Sequence, residues 1–181
     1  MGIRRTVTLA AASLTLAAAP ALAQDRSQDW THWRGPLGSG ASPAADPPLE
    51  WSDTKNVKWK AQIPGEGYST PIVNDGVIYV MTAVDTGRAG AGPSNIFSYR
   101  VIALSLESGR ELWSTTIKEE PPHGGLHQTN VEISASPIIA GSRLYAFFGS
   151  RGVFCLDLKG DVIWDRDLGD MRTRNDFGEG A

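Results

Sequence analysis

Short runs of β-branched, aromatic and aliphatic residues alternate with turn residues along most of the chain. Four such runs cover residues 76–80, 101–104, 143–147 and 153–158, and each is bounded by Gly, Asp, Asn or Ser. Apolar runs of this length and composition are typical of β-strands. Residues 24–181 show no sustained helical period. The pattern therefore predicts an all-β structure built from many short strands.

The chain contains an internal repeat. The stretch STPIVNDGVIY at 69–79 recurs as ASPIIAGSRLY at 135–145, and VIALSLESGRELW at 101–113 recurs as VFCLDLKGDVIW at 153–164. The first pair is offset by 66 residues and the closing Trp residues by 51, so the first copy holds an insertion of 15 residues near 84–98. Because the insertion is rich in Gly and Ala, we expect a flexible loop. A repeat of about 40–50 residues with four short strands is the size of a β-propeller blade.

Turn signals and the two repeat copies divide the chain into six segments. In each copy, a Gly turn joins the third strand to the fourth. Residues 49–62 contain a fourth-strand pattern without a blade of its own, and such a strand closes a propeller ring by joining the last blade. The predicted segments are a signal peptide at 1–23, an irregular lead segment at 24–48, the closing strand at 49–62, a first blade at 67–118, a second blade at 130–169 and the start of a third blade at 170–181.

The N-terminal segment has the order of a secretory signal peptide. Arg4 and Arg5 precede the uncharged, Ala- and Leu-rich run 6–19, and Ala21-Leu22-Ala23 is an A-x-A cleavage signature. We therefore expect an exported protein, either periplasmic or secreted. The apolar run is too short to span a bilayer, and the later sequence offers no longer one, so no transmembrane segment is predicted.

Charge and cysteine content narrow the function classes. Removal of residues 1–23 leaves 15 basic and 20 acidic residues. This acidic balance argues against nucleic acid as a partner, because a basic surface supplies most of that affinity. The one cysteine, Cys155, has no partner for an intramolecular disulfide, and its apolar neighbours at 153–156 predict a buried core residue.

The segment ALSLESGRELW at 103–113 resembles the PQQ-like β-propeller repeat, in which Ala-Leu-Asp precedes a Gly and a Trp. Ser105 replaces the usual Asp, whereas Asp157 retains it in the second copy. The segments WRGPLG at 33–38 and FGE at 177–179 resemble a bacterial subfamily of exported PQQ-like propellers. The resemblance implies a partial propeller of four-stranded antiparallel blades, in a chain that is incomplete at its C-terminal end. Two and a half repeats are specific for the fold and not for the function.

The resemblance also implies a role for three tryptophans. In quinoprotein propellers the fourth-strand Trp stacks between neighbouring blades, and Trp59, Trp113 and Trp164 hold that position here. The resemblance therefore assigns these three residues to blade docking and not to ligand contact.

Candidate binding residues lie in the loops before inner strands. His127 and Asn130 precede the second blade, and Arg172, Arg174 and Asn175 hold the equivalent place before the next blade. Such a set binds an anionic ligand if it converges. The alternative, which we favour, is that these residues cap loops and hydrogen-bond neighbouring blades.

No metal site is predicted. His123 and His127 have the spacing of a helical metal pair, but Pro121-Pro122 and Gly124-Gly125 preclude a helix there. No catalytic residue and no cofactor are predicted from the chain's own motifs.

Three functions remain open at this point. The favoured one is a noncatalytic exported propeller that acts as a binding or assembly platform for a protein or small-molecule ligand. Such a platform resembles the propeller lipoproteins that help outer-membrane protein assembly, although no lipobox Cys precedes the cleavage site. A fragment of a PQQ-dependent dehydrogenase is the first alternative and would bring PQQ with calcium, although the single Cys155 excludes a vicinal Cys pair within this chain. A sensor domain of a larger exported protein is the second.

Overall fold

The computed structural model of the 181-residue chain describes residues 29–42, 45–124 and 126–171. In these ranges eight strands form two antiparallel four-stranded sheets, each in simple sequence order. The all-β prediction is confirmed, and no α-helix occurs in the described residues. The predicted signal peptide lies outside them. The first sheet comprises β1 (Ile72–Asn74), β2 (Val77–Ala89), β3 (Asn95–Ser105) and β4 (Glu111–Glu120), and the second β5 (Ile138–Ala140), β6 (Arg143–Phe147), β7 (Val153–Asp157) and β8 (Val162–Arg166).

The insertion in the first repeat is mostly strand. β2 continues to Ala89 and β3 begins at Asn95, and the two pair from Val77↔Ser105 outwards to Ala89↔Asn95. The expectation of a flexible loop over 84–98 is therefore wrong, and only residues 90–94 lie between the strands. The register of the two strands shifts between Asp85 and Ala89, and Gly87, with φ 69°, lies within this irregular stretch. A Gly- and Ala-rich composition is typical of loops, so it did not predict the pairing. We call residues 85–89 of β2 and 95–97 of β3 the extension.

The main hydrophobic core lies between the two sheets. Successive residues of a strand point to opposite faces, so β3 contributes to two clusters. Val101 and Ala103 join the cluster that contains Leu144 and Phe154 of the second sheet. The other face of the first sheet packs against residues 61–63. Cys155 is buried, which confirms the prediction that it is a core residue.

The two sheets converge at their first strands. Just before β1, the Tyr68 amide donates to the Ile133 carbonyl at 2.7 Å, and the Thr70 amide donates to the Ser136 hydroxyl at 2.9 Å. Residues 133 and 136 lie just before β5, so equivalent positions of the two repeats stand side by side. This is the arrangement of neighbouring propeller blades around an axis.

The segment predicted to close the last blade has little regular pairing of its own. The described residues 49–62 contain one isolated β-bridge, Ser52↔Lys55, and no strand. Its predicted insertion into a last blade stays a prediction. As for the bilayer, the described residues include no helix with the length and apolarity to cross it.

Candidate functional site

Two of the predicted docking tryptophans bond to the turn of the following blade. Trp59 lies upstream of the first sheet, and its indole Nε1 donates to the Leu106 carbonyl at 3.0 Å. Trp113 lies in β4, and its Nε1 donates to the Leu158 carbonyl at 3.2 Å. Each acceptor sits in the turn between the third and fourth strands of the next blade. The same contact therefore recurs at an interval of one blade.

A glycine in each turn allows the indole to approach. A Cβ on Gly109 would lie 2.5 Å from the Trp59 ring, and a Cβ on Gly160 would lie 2.8 Å from the Trp113 ring. Both glycines also have positive φ, at 70° and 98°. The turn conformation and the close packing therefore both require glycine at these positions.

Each fourth-strand Trp also meets a Tyr of its own blade. The Tyr79 and Trp113 ring centroids are 5.9 Å apart and those of Tyr145 and Trp164 6.1 Å, both with an interplanar angle of 55°. Burial, with a smaller contribution from Asp75, raises the pKa of Tyr79 to about 12. Trp164 is nevertheless 43% exposed, and it lies in β8, the last strand in the order of the second sheet. Its predicted docking role stays a prediction.

A buried arginine connects the second blade to the first. Arg151 ends the short 3-10 turn Gly149–Arg151 between β6 and β7 and is 2% exposed. Its guanidinium carbon lies 3.8 Å from the centroid of the Tyr99 ring, and its Nη2 donates to the Tyr99 hydroxyl. Its Nε is 3.3 Å from Glu120 Oε1, and its Nη2 is 3.3 Å from Glu132 Oε2. We call these four residues, with His123, the arginine cluster.

The arginine cluster joins three parts of the chain. Tyr99 and Glu120 belong to the first sheet, whereas Glu132 and His123 belong to residues 121–137, which join β4 to β5 and which we call the connecting segment. The Tyr99 hydroxyl donates to Glu132 at 3.3 Å, and His123 Nε2 lies 2.8 Å from Glu120 Oε1. Burial raises the pKa of Tyr99, while Arg151 opposes this shift and the two carboxylates add to it. Two carboxylates therefore stabilise one buried cation at the junction of the blades.

The structure places His127 and Asn130 in a turn of the connecting segment. His127 Nδ1 lies 2.8 Å from the Thr129 hydroxyl. Asn130 Oδ1 accepts hydrogen bonds from the Val131 amide and the Ser134 hydroxyl, both at 2.9 Å. Both side chains therefore take part in hydrogen bonds within their own segment.

The other three binding candidates, Arg172, Arg174 and Asn175, lie outside the described residues, so the ligand-binding role of all five stays a prediction. A pocket with a volume of about 20 Å³ lies beside the turn, but neither His127 nor Asn130 lines it. Its walls come from the connecting segment and from the end of β6: Leu126, Val131, Glu132, Ile133, Ser134, Ala135, Phe147, Phe148 and Gly149.

Within residues 29–42, 45–124 and 126–171, no group of three or more His, Cys, Asp or Glu side chains is placed to hold a metal ion.

Sequence reasoning missed the arginine cluster. Its members are separated by up to 52 positions, from Tyr99 to Arg151, and they share no local motif. Arg in a Gly-rich turn ordinarily indicates an exposed residue. The acidic residue that ends β4, Glu120, and the one that precedes β5, Glu132, give a signal only when the two repeats are stacked in space.

Comparison with known proteins agrees with this repeat geometry. The family described as "Outer membrane protein assembly factor BamB" matches residues 49–180. The chain belongs to this family. Its membership and the two four-stranded sheets confirm the prediction of a PQQ-like partial propeller.

Individual relatives in the BamB family are distant. An outer membrane protein assembly factor BamB from Yersinia pestis is 25% identical over 153 residues, which cover 67% of this chain and 38% of that protein. The BamB of Nitrosomonas eutropha is 24% identical over 152 residues, covering 66% and 37%, respectively. That of Moranella endobia is 22% identical over 146 residues, covering 63% and 37%. The chain thus spans less than two fifths of the length of these relatives.

Proposed function

We propose that the protein is an exported, noncatalytic propeller that acts as a binding platform in outer-membrane protein assembly. The family match over residues 49–180 carries this proposal, and the similar proteins from three bacteria are each named for outer membrane protein assembly. The signal-peptide pattern at 1–23 supports export to the periplasm, where such a platform would act.

The contacts between blades support a rigid body over a hinged one. Trp59 and Trp113 bond to successive blades in the same way, and Arg151 is held by groups from the first sheet and the connecting segment. We infer that Trp164 docks a further blade by the same contact. A surface that keeps its shape loses less conformational entropy on binding than a mobile one, which suits a platform.

The extension supplies the most distinctive surface of the first blade. It carries Arg88, which pairs with Glu119 of β4 at 2.6 Å, and Asp85, whose carboxylate accepts from Asn95 at 3.0 Å. Exposed loops and hairpins on a rigid scaffold commonly carry recognition. We therefore propose that the extension binds a protein partner. We also propose that His127 and Asn130 cap their own loop.

Gene deletion in the natural host tests the platform. We expect the amounts of folded outer-membrane β-barrel proteins, measured by heat-modifiable gel mobility, to fall several-fold and to return with the wild-type gene. A variant in which a two-residue turn replaces residues 86–97 should be exported at wild-type levels and fail to restore assembly. Unchanged amounts of folded outer-membrane β-barrel proteins in the deletion strain would contradict the proposal.

The PQQ-like repeat keeps the dehydrogenase alternative testable. We expect no saturable quenching of Trp fluorescence when the purified protein is titrated with PQQ and calcium. Stoichiometric quenching, together with PQQ-dependent dye reduction, would favour the dehydrogenase. Normal assembly and no PQQ binding would leave the sensor domain as the better proposal.

A further inference from the structure

Part of the lead segment packs against both blades. We call residues 29–42 the strap. Trp30 forms an antiparallel bridge with Val73 of β1, with N–H···O distances of 2.7 Å in one direction and 2.9 Å in the other. The carbonyl of the next residue, Thr31, accepts from the Ile139 amide of β5 at 2.8 Å. Two consecutive residues of the strap thus reach the edge strands of two different sheets.

These contacts cover groups that the sheets leave unpaired. β1 and β5 are the first, outermost members in the order of their sheets, so one side of each faces away from its own sheet. An uncovered strand edge is a template for pairing with another chain. The strap satisfies the Val73 and Ile139 amides, and Asp29 Oδ1 accepts from the Asp75 amide at 2.8 Å.

A compact turn holds the strap in this position. Gly35 is buried, and a Cβ on it would lie 2.5 Å from the Trp30 ring. The Gly35 amide donates to the His32 carbonyl at 2.8 Å, and the Gly40 amide donates to the Arg34 carbonyl at 2.9 Å. The turn therefore folds back onto the indole, and the indole fixes the residue that bridges to β1.

We propose that the strap is a latch that covers the converging edges of the first two blades. The packing of the Trp30 ring against Gly35 holds the latch closed. The closed latch ties the blades together and blocks strand pairing at β1 and β5 by other chains. Its opening exposes both edges at once, because Trp30 and Thr31 are consecutive residues. This inference concerns the blade edges and is independent of the proposed role in outer-membrane assembly.

A matched pair of glycine variants tests the latch in the complete gene product. Gly35→Ala inserts a methyl group against the Trp30 ring. Gly38→Ala imposes the same kind of φ strain, since Gly38 has φ 65° and Gly35 has φ 69°, but its Cβ would have no atom within 4 Å. Hydrogen exchange read by mass spectrometry reports the opening of individual segments.

We expect Gly35→Ala to speed exchange at the Val73 and Ile139 amides by about tenfold or more relative to Gly38→Ala, with the β3 amides unchanged. A variant lacking residues 29–42 should show the same two accelerated sites and increased self-association in size-exclusion chromatography. Equal exchange in the two glycine variants would overturn the proposal. Equal acceleration throughout β3 would also overturn it, because the strap would then be part of the cooperative core.

Discussion

The two blades hold the same aromatic pair in nearly the same geometry, but their fourth strands have different surroundings. The Tyr–Trp centroid distances are 5.9 Å and 6.1 Å, with equal interplanar angles of 55°. Trp113 nevertheless bonds to the turn of the second blade, whereas Trp164 is 43% exposed. The internal geometry of a blade therefore follows from its own sequence. The burial of its outer face depends on the next repeat, as in other repeat proteins.

The connection between the second and third strands also differs. The first blade has the extension there, and the second has the turn Gly149–Arg151. The shorter connection places Arg151 against Tyr99 and Glu120 at the base of the longer one. The buried cation of the second blade thus contacts the first blade at the base of the extension, and the two divergent connections lie together at the junction of the repeats.

Removal of Arg151 should break this junction with the largest effect. Arg151→Met keeps an unbranched apolar stem but removes the guanidinium, which leaves Glu120 and Glu132 without their buried cation. Loss of one partner from a buried ion pair costs about 3–5 kcal/mol in the free energy of unfolding. Chemical denaturation of the complete gene product measures this cost. Arg143→Met, at an exposed position of the same blade, should change the free energy of unfolding by less than about 0.5 kcal/mol. Equal effects of the two substitutions would contradict the assignment.

Alanine substitution of the two fourth-strand tryptophans tests whether the outer faces of the two blades are equally buried. Trp113→Ala should cost about 3 kcal/mol, because it removes a packed indole and its hydrogen bond. If a further blade covers Trp164 as we infer, Trp164→Ala should cost a similar amount in the complete gene product. Thermal and denaturant unfolding of both variants decide this. A cost below about 1 kcal/mol for Trp164→Ala would show that its face stays exposed.

Much of the repeat architecture could be predicted from sequence. The hydrophobic runs at 76–80, 101–104, 143–147 and 153–158 coincide with parts of β2, β3, β6 and β7 to within one residue at their ends, and the Gly turns lie before β4 and β8. These features are local, since strand period and turn chemistry depend on neighbouring residues. Repetition then confirmed each one by a second copy, and the family match agrees with the whole pattern.

The features that could not be predicted depend on long-range contacts. The extension has a Gly-rich sequence typical of loops, but Thr86 donates to the Ile96 carbonyl at 2.6 Å across the paired strands. Burial of Arg151 depends on acidic groups contributed by other segments. The strap depends on strand edges from two sheets that are distant in sequence and adjacent in space. A single-sequence pattern carries none of this information.

A methyl group at Gly160 should disturb the blade contact from the opposite side. Gly160→Ala would place its Cβ 2.8 Å from the Trp113 ring, whereas Gly141, at φ 59°, has no atom within 4 Å of the same position. Both variants place an L side chain at positive φ, which costs about 1–2 kcal/mol in the left-handed region and more at Gly160, whose φ of 98° lies outside that region. We expect Gly160→Ala to cost about 1–2 kcal/mol more than Gly141→Ala, because overpacking adds to it. Equal melting temperatures of the two variants would show that the turn can yield without loss of the indole contact.

The smallest effect should come from the turn position that distinguishes the two repeats, Asp157 and Ser105. The Asp157 carboxylate accepts from the Asp161 amide at 3.0 Å and the Lys159 amide at 2.8 Å, whereas the Ser105 hydroxyl accepts from the Ser108 amide at 3.3 Å. The hydrogen bond from the Asp161 amide is the main cause of a lowered pKa for Asp157, below its ordinary value of 3.8.

A lowered pKa in the folded state means that folding favours the ionised carboxylate. Its contribution to stability is therefore present above about pH 4 and is lost as the pH falls through the lowered pKa of the folded protein. Asp157→Ser should lower the melting temperature slightly at pH 7, and the difference from wild type should shrink towards about pH 2. Ser105→Asp should produce the opposite change with the same pH dependence, because it places a carboxylate at the position in the first turn that Asp157 holds in the second. Melting curves of the two variants between pH 2 and 7 measure both effects. A difference that is constant across this range would mean that hydrogen-bond geometry, and not the charge of Asp157, distinguishes the two turns.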